Sequence, residues 1–250
     1  MNTNKLLVSV VGLLFMVATL SAKDYQVSMF GIKSDGVTLN TRSIQRAVDY
    51  ISEQGGGRLI FYVGRYLTGS IELKSNVTIR IEEGAALVAV PSVYDYKGVE
   101  GCNAIIYAKG QQNIGIGGKG IIEGRADAVR ASVEDQLEKG HIQGMALDYV
   151  PALICMEDCE NVKIEQVTLQ NAGNTAEVYK NCQHVTVDKV VVNAGTSGQK
   201  AVSISGCDGL KMTDCYFNQQ TEPLQSDGTS RNLLFTNCLT LEGKNITIEK

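Results

Sequence analysis

Cys159-Glu-Asn-Val-Lys-Ile, Cys182-Gln-His-Val-Thr-Val, Cys207-Asp-Gly-Leu-Lys-Met and Ser230-Arg-Asn-Leu-Leu-Phe are copies of one short pattern, spaced by 23, 25 and 23 residues. A fixed period of this size marks a solenoid, in which one repeat cannot bury its apolar face alone and neighbours must stack. Within a copy the apolar residues alternate, as in Val162, Ile164, Val167 and Leu169. That is the period of a strand with one buried face. The pattern predicts an all-β fold, a parallel β-helix.

The same ruler orders the cysteines. Cys159, Cys182 and Cys207 share one repeat position, and Cys215 and Cys238 share another. Stacked coils stand roughly 4.8 Å apart with side chains in parallel, whereas a disulfide needs converging Cβ atoms about 3.8 Å apart. Buried, reduced thiol ladders are therefore expected, with cysteine acting as a small core hydrophobe. No close Cys-x-x-Cys pair exists, and His141 and His184 are the only histidines, so no metal and no cofactor is implied. Asn171, Asn193 and Asn218 predict an asparagine ladder in which stacked amides bond from coil to coil.

Ahead of the repeat, Asn40 to Gly55 carries Ile44, Ala47, Val48 and Ile51 at helical spacing. A single helix at about 40–54, started by Asn40 or Thr41, reads as a cap over the first coil and its unpaired strand edge. Tyr25 onward reads as a short strand ending in the Asp35-Gly36 turn. Further strands are expected at Arg58 to Val63, Ser70 to Leu73, Val77 to Ile81, Ala86 to Val90, Ile105 to Ala108 and Asn113 to Ile116. Residues 125–150 break the ruler with a charged, partly helical stretch. It is either a solvated excursion or a wall of a binding cleft.

Residues 1–22 stand apart. Lys5 precedes a mainly apolar run from Leu6 to Leu20, closed by Ser21 and Ala22. The run is short for a membrane span and reads as a secretory signal peptide, an uncleaved anchor being the alternative. The expectation is an exported protein, periplasmic or secreted, with no membrane segment after cleavage and residues 23–250 forming a single β-helix domain. Removing Lys5 with residues 1–22 takes the formal net charge from −4 to −5. An acidic chain argues against nucleic acid and offers no long-range attraction to an anionic polymer, so an acidic substrate would need local basic residues.

Phe30-Gly-Ile-Lys-Ser-Asp-Gly, Ile44-Gln-Arg-Ala-Val-Asp, Gly55-Gly-Gly-Arg and Gly64-Arg-Tyr-Leu-Thr-Gly-Ser-Ile-Glu-Leu-Lys-Ser-Asn-Val-Thr resemble the N-terminal region of polygalacturonase-type glycoside hydrolases, family 28. Gly118-Lys-Gly-Ile-Ile-Glu-Gly and the Cys-x-Asn-Val-x-Ile copies extend the resemblance over nearly all of residues 23–250. It implies a right-handed β-helix and a pectin-like plant polysaccharide or oligosaccharide as partner. It also implies inverting hydrolysis by one carboxyl that protonates the leaving oxygen and another that activates water, some 6.5–9.5 Å away.

The family keeps these groups in an Asn-Thr/Asn-Asp motif and an Asp-Asp pair on the next coil. Here the first motif falls on Gly198-Gln199-Lys200 and the second on Thr221-Glu222. Glu222 is the one candidate catalytic carboxylate, with Lys200 and Thr221 standing in for the others. Lys200 and Glu222 read as a surface ion pair or as a lyase-like base with its counter-ion, while Asp208 and Asp227 read as turn residues. Beyond Cys238 no His-Gly or Arg-x-Lys motif follows, and the last coil would be left open for a partner or a missing segment to cover. The readings are thus a polygalacturonase-like hydrolase, a catalytically inactive carbohydrate-binding β-helix, or a truncated fragment.

Overall fold

The computed structural model describes residues 22–193, 200–219 and 222–246; the apolar run Leu6–Leu20 lies outside them. Successive coils stack their strands into three parallel sheets, eight strands in the first, eight in the second and six along the third. The first sheet runs from Asp24–Gln26 through Gly57–Phe61, Val77–Ile81, Gln112–Gly117, Glu160–Glu165, Gln183–Asp188 and Asp208–Thr213 to Leu234–Thr236. The second begins at Asp35–Leu39 and ends at Leu239–Thr240. The third holds Ile71–Glu72, Cys102–Lys109, Ala152–Glu157, Glu177–Lys180, Val202–Ser205 and Leu224–Ser226, with Lys97–Val99 pairing antiparallel to Cys102–Lys109.

One row of side chains shows why this sequence stacks. Tyr25, Leu59, Ile79, Ile116, Ile164, Val187, Met212 and Phe235 are in register along the first sheet. All but Phe235 are buried. Each such aliphatic side chain contributes about 1.5–3 kcal/mol when removed from water, and a one-residue slip would turn the whole row outward.

The corners come from left-handed residues. Asn76, Asn113 and Asn161 have φ of 65°, 54° and 56°, a conformation that asparagine tolerates better than most residues. Their amides form the chain Asn161 to Asn113 (3.2 Å) and Asn113 to Asn76 (3.0 Å). His184, Gly209 and Asn232 continue the left-handed column at the third position of the later repeats. The Gly118-x-Gly120 motif serves a close approach: a Cβ on Gly118, at φ 101°, would lie 2.1 Å from the Ile81 carbonyl oxygen, and one on Gly120 would lie 2.2 Å from Ile81 Cγ2.

The expected asparagine ladder is only partly formed. Asn218 donates to Asn193 over 3.1 Å, but Gln170, not Asn171, is in register with Asn193. Asn171 lies one residue past that row, at φ 50°, and donates to Glu123 instead. The strand expected from Tyr25 stops at Gln26, where a 3₁₀ turn over Val27–Phe30 intervenes. The segment expected as Arg58–Val63 ends at Phe61, and a separate strand, Gly64–Thr68, begins the next side of the coil. The final copy of the repeat pairs only through an Asp208–Arg231 bridge and the short strand Leu234–Thr236.

Helix α1 (Thr41–Glu53) buries Ile44, Ala47, Val48 and Ile51. Asn40 occupies its N-cap position but does not cap it. The Asn40 amide instead accepts from Lys33 N–H and donates to the Lys33 and Thr38 carbonyls. Helix α2 (Ala126–Glu138), within the 125–150 excursion, buries Val129 and Val133, and its Gln136 accepts the Tyr94 hydroxyl at 2.8 Å. No helix among the described residues is long and apolar enough to cross a membrane.

All seven cysteines are free, and all but the half-buried Cys102 are buried. Cys159, Cys182 and Cys207 each aim Sγ at the carbonyl two residues back, over 3.2, 3.3 and 3.4 Å. Their coils are joined at this column by Gln183 N–H to Cys159 O and Asp208 N–H to Cys182 O.

Candidate functional site

The register of the third sheet places the candidate residues. Val202 stands opposite Leu224, and Val202 N–H donates to Pro223 O at 2.8 Å. Lys200 and Glu222 each lie two residues ahead of that pair, so they occupy adjacent coils, about 4.8 Å apart at the backbone. Lys200 is half-buried and Glu222 is exposed. Neither makes an ion pair or hydrogen bond, so the expected Lys200–Glu222 ion pair is not formed among the described residues. The backbones are adjacent, but both side chains keep their hydration, which an exposed pair gains little by giving up. Gly198, Gln199 and Thr221 lie outside the described residues.

Two rows run along the outward side of this sheet. One is Tyr107, Cys155, Val178, Ser203 and Gln225. The other is Lys109, Glu157, Lys180 and Ser205, continued by Asp227, which accepts the Ser205 hydroxyl at 2.6 Å. Cys102–Lys109 is itself a strand of this sheet, and the turn that joins it to Lys97–Val99 reaches the Lys180 side chain. Val99 and Ala104 pack there against Ala152, Cys155 and Val178, and Lys180 Nζ donates to Glu100 O at 3.0 Å.

The carboxylates within these two rows, Glu157 and Asp227, are each committed to other partners. Glu157 is ion-paired to Lys109 with its side chain 12 % exposed, and that contact raises the Lys109 pKa. Asp227 is held at about 2 by the Ser205 and Thr229 hydroxyls and the Thr229 N–H, so it stays ionised and cannot serve as a general acid. Glu157 and Asp227 stand three coils apart, roughly 14 Å at coil spacing, beyond the separation an inverting pair uses. Asp208 lies on the first sheet, tied to Arg231 at 2.9 Å and Asn232 at 2.7 Å. Those contacts lower its pKa.

Among the described residues one carboxyl has its pKa raised, and it is sealed inside the coil. Glu177 is in register with the core residues Ile154 and Val202 and is fully buried. Its Oε2 accepts the Tyr179 hydroxyl at 2.8 Å, while Oε1 has no partner. Burial pushes its pKa up to about 7 against the Tyr179 hydrogen bond, which pulls it down. Sequence reasoning missed Glu177, although the alternation Glu177, Tyr179 over Ile154, Met156 signals an inward-facing acid.

A three-sided parallel coil with these sheets is the architecture of the right-handed β-helix proteins. Within that class, the model for glycosyl hydrolases family 28 matches residues 61–249, and the chain belongs to that family. A crystal structure from Parabacteroides merdae, assigned provisionally as a glycosyl hydrolase, is 78% identical with a TM-score of 0.88, covering 91% of this chain and 100% of that one. A family 28 exopolygalacturonase from Yersinia enterocolitica superposes with a TM-score of 0.76 at 18% identity over 88% of this chain and 49% of that one. An exo-poly-alpha-D-galacturonosidase from Dickeya chrysanthemi is 33% identical over 132 residues, 46% of this chain and 22% of the relative. The chain spans about half or less of the length of the curated relatives it matches.

Proposed function

We propose that the chain is an exported β-helix that holds pectin-like acidic polysaccharide without an acid–base pair to cut it. The observation that carries this reading is the mismatch of its carboxyls. Lys200 stands where the family resemblance calls for a carboxylate, Asp227 is fixed as an anion, and Glu177, the group with a raised pKa, is buried. General acid–base groups are each worth about 10²–10⁴-fold in rate, so losing the pair leaves a binding surface rather than an enzyme. Family membership supports the substrate class. The reading of export rests on Leu6–Leu20 and is tested by fractionating cells that express the full chain.

Affinity electrophoresis in polygalacturonate gels tests the binding, with retarded migration as the expected result. Unretarded migration at low salt removes this function. A second reading, hydrolysis through Glu222, is favoured by its exposure beside the Lys200 coil.

A further inference from the structure

A cavity of about 520 Å³ opens between α1, the Val93–Lys97 segment and the N-terminal end of the third sheet. Its walls are held before any ligand arrives. Gln45 accepts from Glu72 N–H at 2.8 Å and donates to Glu72 O at 3.0 Å. Ser70 N–H donates to Asp95 O at 3.0 Å, and Ser70 Oγ accepts from Lys97 N–H at 2.7 Å. Tyr94 is braced on α2 through Gln136. The volume falls in the range of small-molecule sites.

The chemistry of the lining is specific. Arg42 and Lys97 are exposed at its edge, and neither charged head has an ion-pair or hydrogen-bond partner. Glu72 is already neutralised by Lys74 at 2.5 Å, which leaves Asp95 as the one carboxylate there without a side-chain partner. Tyr94 and Tyr107 supply ring faces, and the Tyr107 hydroxyl is unbonded. Two free cations suit a carboxylate, which guanidinium binds in bidentate fashion. One free carboxylate and a phenol suit sugar hydroxyls, and the rings suit the apolar face of a pyranose. A neutral sugar would leave both cations unused.

We propose that this cavity binds a hexuronate unit of a short acidic oligosaccharide, its carboxylate on Arg42 and Lys97 and its ring against Tyr107. The site is distinct from the Lys200–Glu222 coils. Ile71–Glu72 stands four strands from Val202–Ser205 in the third sheet, about 19 Å at coil spacing, with the Lys97–Lys109 hairpin between them. The proposal rests on the pectin-directed reading for the source of the ligand.

Isothermal titration calorimetry of the full chain with trigalacturonate and with an uncharged galactotriose tests it. Trigalacturonate is expected to bind, and galactotriose at least tenfold more weakly. The double variant Arg42→Gln/Lys97→Gln, both exposed positions, is expected to weaken trigalacturonate tenfold or more with an unchanged melting temperature. Lys119→Gln, which removes a single positive charge outside the cavity lining, leaves binding unaltered. Wild-type failure to bind trigalacturonate, equal binding of galactotriose, or full binding by the double variant overturns the site. Gel retardation by polygalacturonate separates the two claims: undiminished trigalacturonate binding by the double variant sinks the cavity alone, whatever its retardation, and absence of retardation in the wild type sinks the pectin-directed reading.

Discussion

Tyr179 donates its hydroxyl to Glu177 over 2.8 Å inside a coil from which water is excluded, and the other carboxylate oxygen of Glu177 meets no donor. Glu177 sits between Ile154 and Val202, in a row where the other coils place the apolar side chains of Ile106 and Leu224. A charged Glu177 is therefore costly and a protonated one tolerable, which gives the fold a pH dependence unrelated to substrate.

The direction follows from linkage. Glu177 titrates near 7 in the folded chain against 4.5 as an unperturbed carboxyl, so the folded state holds the proton more tightly. Its favourable contribution is complete below about pH 4.5 and is lost as pH rises through 7. Glu177→Gln should flatten the melting temperature between those limits and stabilise the protein at pH 8 by an amount on the order of 3 kcal/mol. Thermal melts of both proteins from pH 4 to 8 check this. Parallel curves would show that Glu177 does not titrate in that window.

Tyr179→Phe removes the donor and leaves the carboxyl with no partner. The expected loss is about 1–3 kcal/mol, larger at pH 8 than at pH 5. Urea unfolding at the two pH values measures it, and an equal loss at both would assign the effect to packing.

Gly118→Ala adds a methyl to a backbone at φ 101° and drives it to within 2.1 Å of Ile81 O. The strain and the overlap together are expected to cost about 3 kcal/mol or more. Gly110→Ala, where a Cβ meets nothing within 4 Å but φ is 63°, isolates the backbone share and should cost about 1 kcal/mol. Equal losses would show that contact with Ile81 is unimportant.

Among the thiols, Cys102 is half-buried while the other six are buried, and its pKa is lowered by the neighbouring Cys155 thiol. Native protein should therefore show one fast-reacting thiol towards a disulfide reagent, and unfolded protein seven. Cys102→Ser should abolish the fast phase. A fast phase that persists would place accessibility elsewhere.

The spacing of Cys159, Cys182 and Cys207 made the solenoid legible because every coil repeats the same inward alternation and the same left-handed corner at Asn161, His184 and Gly209. Asn171 falls outside the ladder because it lies 12 residues after Cys159, whereas Asn193 and Asn218 lie 11 after Cys182 and Cys207, and that one residue carries it past the strand end and leaves Gln170 in the row. Gly64–Thr68 escaped notice because Phe61-Tyr-Val-Gly-Arg-Tyr reads as continuous β-formers, and only stacking shows the bend. The cavity was illegible for a different reason. Arg42, Lys97 and Tyr107 come from a helix and two different strands, and only the closed coil brings them together. Lys200 and Glu222 were placed on neighbouring coils by counting alone, but counting could not show that their side chains stay apart.

The most direct test is release of reducing ends from polygalacturonate by the full chain, followed over long incubation beside the Glu222→Gln variant. The expected result is no release above the blank for either protein, while both still bind the polymer. Steady release by the wild-type chain that Glu222→Gln abolishes would contradict the non-hydrolytic reading and make Glu222 a working catalytic carboxylate.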